Sequence, residues 1–146
     1  MPTRSPFRAF LAAALLATAS AADLALAHGD VTPQPIDVTG LAPLKEGEWL
    51  TQNPYSGDPK AIEIGASGYN QNCARCHGLQ VVSGGLAPDL RYLEKGQVGD
   101  EWFIERIRHG AHKSDGSTVM PPFEGVFTQE AMWAIRSYVE SMHSDE

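Results

Sequence analysis

Cys73, Cys76 and His77 stand together in the run Cys73-Ala-Arg-Cys76-His77, and the two cysteines are the only ones in the chain. C-x-x-C-H is the attachment signature of a c-type haem. The spacing has a chemical reason. Two thiols three positions apart can each add across a haem vinyl group, and the adjacent imidazole then reaches the iron as its proximal ligand. A thioredoxin-like dithiol or a lone disulfide would use the same two cysteines. The first wants a βαβ context that the sequence does not offer, and the second leaves His77 without a use. Cys73, Cys76 and His77 therefore predict one covalently bound haem c.

Three helical segments are read around this motif. Asp58-Pro59 is a start signal, a capping carboxylate followed by Pro at the first helical position. Behind it Ile62, Ala66, Tyr69 and Cys73 recur at helical spacing, so the first helix runs straight into the haem motif. A second is predicted from Asp100, carries Phe103, Ile104 and Ile107, and stops at Gly110. A third starts near Thr128 and aligns Ala131, Ile135, Tyr138, Val139 and Met142 on one face. No segment alternates as a strand, so the expected class is all-α.

Residues 1–27 read as a leader. Arg4 and Arg8 precede an apolar stretch from Ala9 to Ala22, and Ala25-Leu26-Ala27 offers small residues for cleavage. The apolar run falls short of the roughly 20 residues that span a bilayer, so no membrane anchor is expected. Covalent haem attachment in bacteria takes place outside the inner membrane, and the two signals together place the mature chain, from His28, in the periplasm. Residues 28–57 form an extended arm with Pro33, Pro35, Pro43 and Pro54. Its Ile36, Val38, Leu41, Leu44, Trp49 and Leu50 are too apolar for a free tail, so the arm is expected to lie against the haem domain, 58–146.

The mature chain is small for a self-sufficient core, and a large apolar prosthetic group makes up the deficit. Without Arg4, Arg8 and Asp23 the balance of 11 basic and 18 acidic residues becomes 9 and 17, a formal charge of −8. Nucleic acid is excluded as a partner on this balance, and any steering favours a basic patch on another protein. A monomer is the default expectation.

The order of parts resembles the class I c-type cytochromes: three main helices around one covalent haem, here with an extended amino-terminal arm. Gly65 and Tyr69, eight and four positions before Cys73, match that family's small and aromatic positions on its first helix. The resemblance implies a close crossing with the last helix at Gly65, with Tyr138 beside it. A Gly within a helix costs about 0.5–1 kcal/mol relative to Ala, which favours close approach over mere tolerance.

Val119-Met120-Pro121-Pro122-Phe123 is similar to the family's distal segment, where a thioether faces the iron, and Met120 lies 43 residues beyond His77. Its rivals are Met132 and Met142 in the last helix, where Met more often fills a core, and His109 and His112. A His77/Met120 pair is the pattern of electron-transfer cytochromes, and with both axial positions taken the site moves electrons rather than bonds. The alternatives are a haem subunit of an enzyme or a small peroxidase, which need an open sixth position. Leu86-Ala87-Pro88-Asp89-Leu90 resembles the family's proximal loop, so the resemblance gives Pro88 the role of accepting the His77 Nδ1 hydrogen. Arg91, Tyr92 and Trp102 are candidate partners for the haem propionates, since buried carboxylates need charged or hydrogen-bonding neighbours.

A narrower resemblance covers nearly all of the mature chain. The run His28-Gly-Asp-Val-Thr-Pro-Gln34, the blocks from Tyr69 to Gly78 and from Gly84 to Tyr92, and the ending from Met120 through Tyr138 look like the soluble cytochromes c that serve quinoprotein alcohol dehydrogenases of the ethanol-oxidising type. That likeness implies a carrier, not an enzyme. Its donor would be a dehydrogenase bearing pyrroloquinoline quinone (PQQ), its acceptor a terminal oxidase or another cytochrome. A general respiratory cytochrome between a membrane complex and an oxidase would use the same site.

Overall fold

The computed structural model describes residues 32–145; the leader read over 1–27 and a mature terminus at His28 lie outside them. Four helices follow one another: α1 (Pro59–Asn72), α2 (Ala74–His77), α3 (Gly96–His109) and α4 (Gln129–Ser141). A short antiparallel hairpin of β1 (Ala111–His112) and β2 (Thr118–Met120) sits between α3 and α4. The three expected helices are there, with differences in their detail. The haem motif is a separate single turn, α2, and Met120, in a stretch where the sequence predicts no strand, ends the short strand β2.

Asp58 caps α1 by accepting from the N–H groups of Lys60 and Ala61 at 2.7 and 3.3 Å, with Pro59 at the first helical position. Such a cap contributes about 1 kcal/mol. Thr128 caps α4 by accepting from Ala131 N at 3.2 Å. The two helices cross at Gly65: a Cβ there would lie 1.9 Å from the carbonyl oxygen of Ala134, so any side chain would push α1 off α4. Tyr69 and Tyr138 pack beside the crossing with ring centroids 5.4 Å apart and tilted by 56°. Ile64, Ile135 and Val139 share their core with Phe103, Ile104 and Ile107 of α3.

Asp100 reads as a helix start, but α3 begins four residues earlier and holds it inside. Its carboxylate has another use. It accepts from Arg136 Nε at 2.7 Å and from Asn53 N at 2.9 Å, and Arg136, fully buried, also donates to Glu94 O at 2.6 Å. Asn53 Nδ2 donates to Ser137 Oγ at 2.9 Å, and Ser137 Oγ donates to Tyr55 O at 3.0 Å. Removing one partner of a buried ion pair costs about 3–5 kcal/mol because the other charge is stranded.

Residues 32–57 contain turns and extended backbone without helix or strand. Ile36, Val38, Leu41, Leu44, Trp49 and Leu50 are partly buried against the core. Gln129 fixes this segment by accepting from Leu50 N at 2.7 Å and donating to Glu48 O at 2.9 Å, and Glu130 accepts from Leu44 N at 2.8 Å. Among the described residues no helix is long and apolar enough to cross a membrane.

Candidate functional site

The motif is delivered by helical hydrogen bonds. Cys73 N donates to Tyr69 O at 2.8 Å and His77 N to Cys73 O at 3.0 Å, which carries α1 into the turn of α2. Tyr69, fully buried, donates its hydroxyl to Gly78 O at 2.9 Å and so ties the far end of the motif back to α1. His77 Nδ1 lies 3.0 Å from Pro88 O. A proton on Nδ1 satisfies that carbonyl and leaves Nε2 with its lone pair, the tautomer a metal ligand needs.

Pro88 belongs to a loop that holds itself. Ser83 Oγ donates to Ala87 O at 2.5 Å and accepts from Gly85 N at 3.0 Å, while Ser83 N donates to Asp89 Oδ2 at 3.2 Å. Asp89 also receives Arg91 Nε and Nη2 at 3.0 and 2.8 Å and Arg91 N at 3.1 Å. Those hydrogen bonds from Arg91 hold the Asp89 carboxyl well below the usual carboxylate range.

Neither cysteine forms a disulfide; Cys73 is partly buried and Cys76 exposed. Burial pushes the Cys73 thiol up to about 12, with Cys76 adding to the effect. A redox dithiol wants a lowered thiol pKa. The shift at Cys73 runs the other way and disfavours that use of the pair.

Met120 ends β2 and is partly buried. Gly110, with φ of +74°, lets α3 end against it: a Cβ there would lie 2.4 Å from Met120 O and 2.9 Å from Pro122 N. Phe123 N donates to Ile107 O at 2.9 Å, and the Phe123 and Phe127 rings stack 4.9 Å apart. Of the rivals named from the sequence, Met132, Met142, His109 and His112, Met142 is partly buried against the core. Met132 is fully buried in α4, His109 stands 3.1 Å from Glu105 and 3.3 Å from Glu124, and His112 Nδ1 is 3.2 Å from Thr118 Oγ1.

Arg91 and Tyr92 adjoin the proximal loop, with the Arg91 guanidinium carbon 5.4 Å from the Tyr92 ring centroid. Arg91 spends its fork on Asp89, so its charge is already matched there. Tyr92 is exposed, and Trp102, exposed on α3, lies under Arg106 at 5.5 Å. The residues that sequence reading passed over are Ser83, Asp89 and the Tyr69 hydroxyl. Asp89-Leu90-Arg91 carried a signal, an Asx turn in which the side chain accepts from the backbone two residues on.

The donor set fits an iron porphyrin: two cysteines outside any disulfide, an imidazole with one nitrogen committed to a carbonyl, and a thioether on a separate segment. Leu79, Leu86 and Val119 are 73, 77 and 54% exposed, apolar surface of the kind that a large apolar group would cover.

Residues 60–139 match the family described as cytochrome c oxidase, cbb3-type, subunit III. The chain is 57% identical over 136 residues to cytochrome c550 of Pseudomonas aeruginosa, covering 90% of this chain and 92% of that protein. It is 42% identical over 106 residues to quinohemoprotein alcohol dehydrogenase ADH-IIG of Pseudomonas putida, covering 68% of this chain and 14% of that much longer protein. The crystal structure of cytochrome CL from Methylophaga aminisulfidivorans superposes with a TM-score of 0.53 at 25% identity, covering 73% of each chain. The chain belongs to the cytochrome c family: it is an electron-transfer protein with a covalently bound c-type haem.

Proposed function

We propose that this cytochrome c is a periplasmic one-haem carrier that accepts electrons one at a time from a PQQ-dependent ethanol dehydrogenase and passes them towards a terminal oxidase or another cytochrome. In this reading residues 1–27 are the removed leader, 28–57 the arm and 58–146 the haem domain, working as a monomer. Cys73 and Cys76 would hold the haem through thioethers. His77 and Met120 would ligate its iron. Pro88 O keeps the His77 proton on Nδ1 and strengthens Nε2 as a donor. The haem, when bound, supplies a one-electron iron couple whose potential a His/Met pair raises. Tyr69 and the Ser83–Asp89 loop orient the imidazole, so little rearrangement accompanies a change of charge.

The observation that carries the choice of donor is the 42% identity to a stretch of a quinohemoprotein alcohol dehydrogenase. A segment that serves as part of one dehydrogenase has the chemistry to serve another as a separate chain. Stopped-flow reduction of the ferric protein by a quinoprotein ethanol dehydrogenase with alcohol tests it. Rapid, saturable, dehydrogenase-dependent reduction is expected; slow, unsaturable reduction assigns the donor elsewhere. The match to an oxidase-subunit family favours one second reading, a general carrier between a membrane complex and an oxidase. The same experiment separates the two.

A further inference from the structure

The amino-terminal arm and the Met120 segment meet at a cluster outside the set of proposed ligands. Arg108, next to the last residue of α3, sends Nε and Nη2 to the two carboxylate oxygens of Glu124 at 3.1 and 3.2 Å. Glu124 stands four residues beyond Met120. The guanidinium carbon of Arg108 also lies 4.0 Å from the centroid of the Trp49 ring, and Trp49 is itself packed against the core. The Arg108 side chain is only 17% exposed. Backbone bonds run in parallel, Phe123 N to Ile107 O at 2.9 Å and Glu124 N to Arg108 O at 3.3 Å. Hydrogen bonds from Arg108 hold the Glu124 carboxyl below its usual range, so the pair is charged at neutrality.

We propose that Trp49, Arg108 and Glu124 form a clamp through which the arm holds the Met120 segment closed and sets how readily Met120 leaves the iron. The inference rests on the reading of Met120 as sixth ligand. An outside ligand can enter a six-coordinate iron only after Met120 departs, and departure requires this segment to lift. The cost of a local opening is set by the contacts it breaks. Residues 123–127 are braced internally by Val126 N and Phe127 N donating to Phe123 O at 2.9 and 3.0 Å, so they lift as a unit. The fork to Glu124 is then one of the tethers that must break. A two-point guanidinium–carboxylate contact fixes orientation as well as charge. Trp49 keeps the guanidinium from swinging away, so these three residues act as positioning residues for Met120.

The test uses the ferric holoprotein with imidazole as entering ligand, in the regime where departure of Met120 limits the rate, with thermal unfolding followed in parallel. Arg108→Gln and Glu124→Gln are each expected to raise the limiting rate about fivefold, and Trp49→Leu about threefold. Arg108→Lys, which keeps the charge and loses the fork, should fall between Arg108→Gln and the unaltered protein. Lys45→Gln, an exposed change elsewhere on the arm, should leave the rate unaltered. Because Trp49 acts through Arg108, the double variant Trp49→Leu/Arg108→Gln should exceed Arg108→Gln alone by little. Unchanged rates in both Arg108→Gln and Glu124→Gln overturn the clamp, and independent multiplication in the double variant removes the arm from it. If Met120→Ala instead leaves the oxidised spectrum and imidazole binding as they were, the ligand reading falls and the clamp falls with it.

Discussion

His77 is steadied by a loop that holds itself, whereas Met120, besides its local hairpin pairing with Ala111, is steadied by contacts that reach back to α3 and on to Trp49. On the proximal side Ser83, Ala87, Asp89 and Arg91 satisfy one another within nine residues and present Pro88 O to the imidazole. Around Met120 the strand pairs locally with Ala111, and further tethers run from Phe123 and Glu124 to Ile107 and Arg108, and from Arg108 to Trp49. A local clasp re-forms quickly after a fluctuation because little chain entropy opposes it. A long-range tether closes a larger loop and depends on elements that must already be in place. Of the two proposed ligands, Met120 is accordingly the one expected to leave first.

That contrast would matter only in the haem-bound protein, so the largest effect comes from the thiols. Cys73→Ser or Cys76→Ser should abolish normal two-thioether attachment, read as the shift of the reduced pyridine haemochrome band and as lost yield of folded protein. An undiminished yield of two-thioether haem would contradict the assignment. Met120→Ala comes next. It should lower the reduction potential by something on the order of a hundred millivolts, since axial ligands are the strongest lever on haem potentials. It should also open the iron to imidazole. His77 should remain bound, and loss of both ligands together would erase the proposed independence of the two sides.

Gly65→Ala provides a change that should not discriminate between them. The added methyl would stand 1.9 Å from Ala134 O, and backbone cannot step aside as a side-chain tip can. Overpacking of this kind costs about 1–3 kcal/mol. Since α1 carries the haem motif and α4 floors the core, the denaturation midpoint should fall while the imidazole rate under native conditions stays close to that of the unaltered protein. A large rise in that rate without loss of global stability would show that the α1–α4 crossing, and not the distal tethers, governs Met120.

The two sides also differ in how far the sequence disclosed them. The start of α1 was legible because Asp58-Pro59 is a purely local signal, and the crossing at Gly65 because a glycine inside a helix asks for a reason. The proximal loop was legible by family likeness. Asp100 misled because a carboxylate before an apolar stretch looks like a cap, while its actual partner, Arg136, is 36 residues away. The hairpin ending at Met120 was invisible because two- and three-residue strands carry no alternation. The pairing of Arg91 with Asp89 has no sequence signal beyond their spacing, and only side-chain geometry shows it. The contact of Trp49 with Arg108 has no sequence pattern: it is decided by how the arm lies over the end of α3.

The smallest effect is expected from the proximal clasp, with Asp89→Asn. Asparagine keeps the shape and can still accept from Arg91 N through its single carbonyl oxygen, losing the acceptor for Ser83 N, and Ser83 Oγ to Ala87 O is untouched, so the reduction potential should move little and His77 should stay ligated. What also changes is the charge held by Arg91. The folded-state pKa of Asp89 lies below its ordinary value of 3.8, so the carboxylate contributes stability that is fully present above that value and is lost as pH falls through the folded one. Asparagine cannot titrate. The unaltered protein should therefore have the higher urea midpoint near neutrality, and the gap between the two should narrow on acidification below about pH 4. A gap that stays constant with pH would mean that the hydrogen-bonding shape of residue 89, and not its charge, secures the loop. A large fall in reduction potential would mean that the His77 side is no more self-sufficient than the Met120 side.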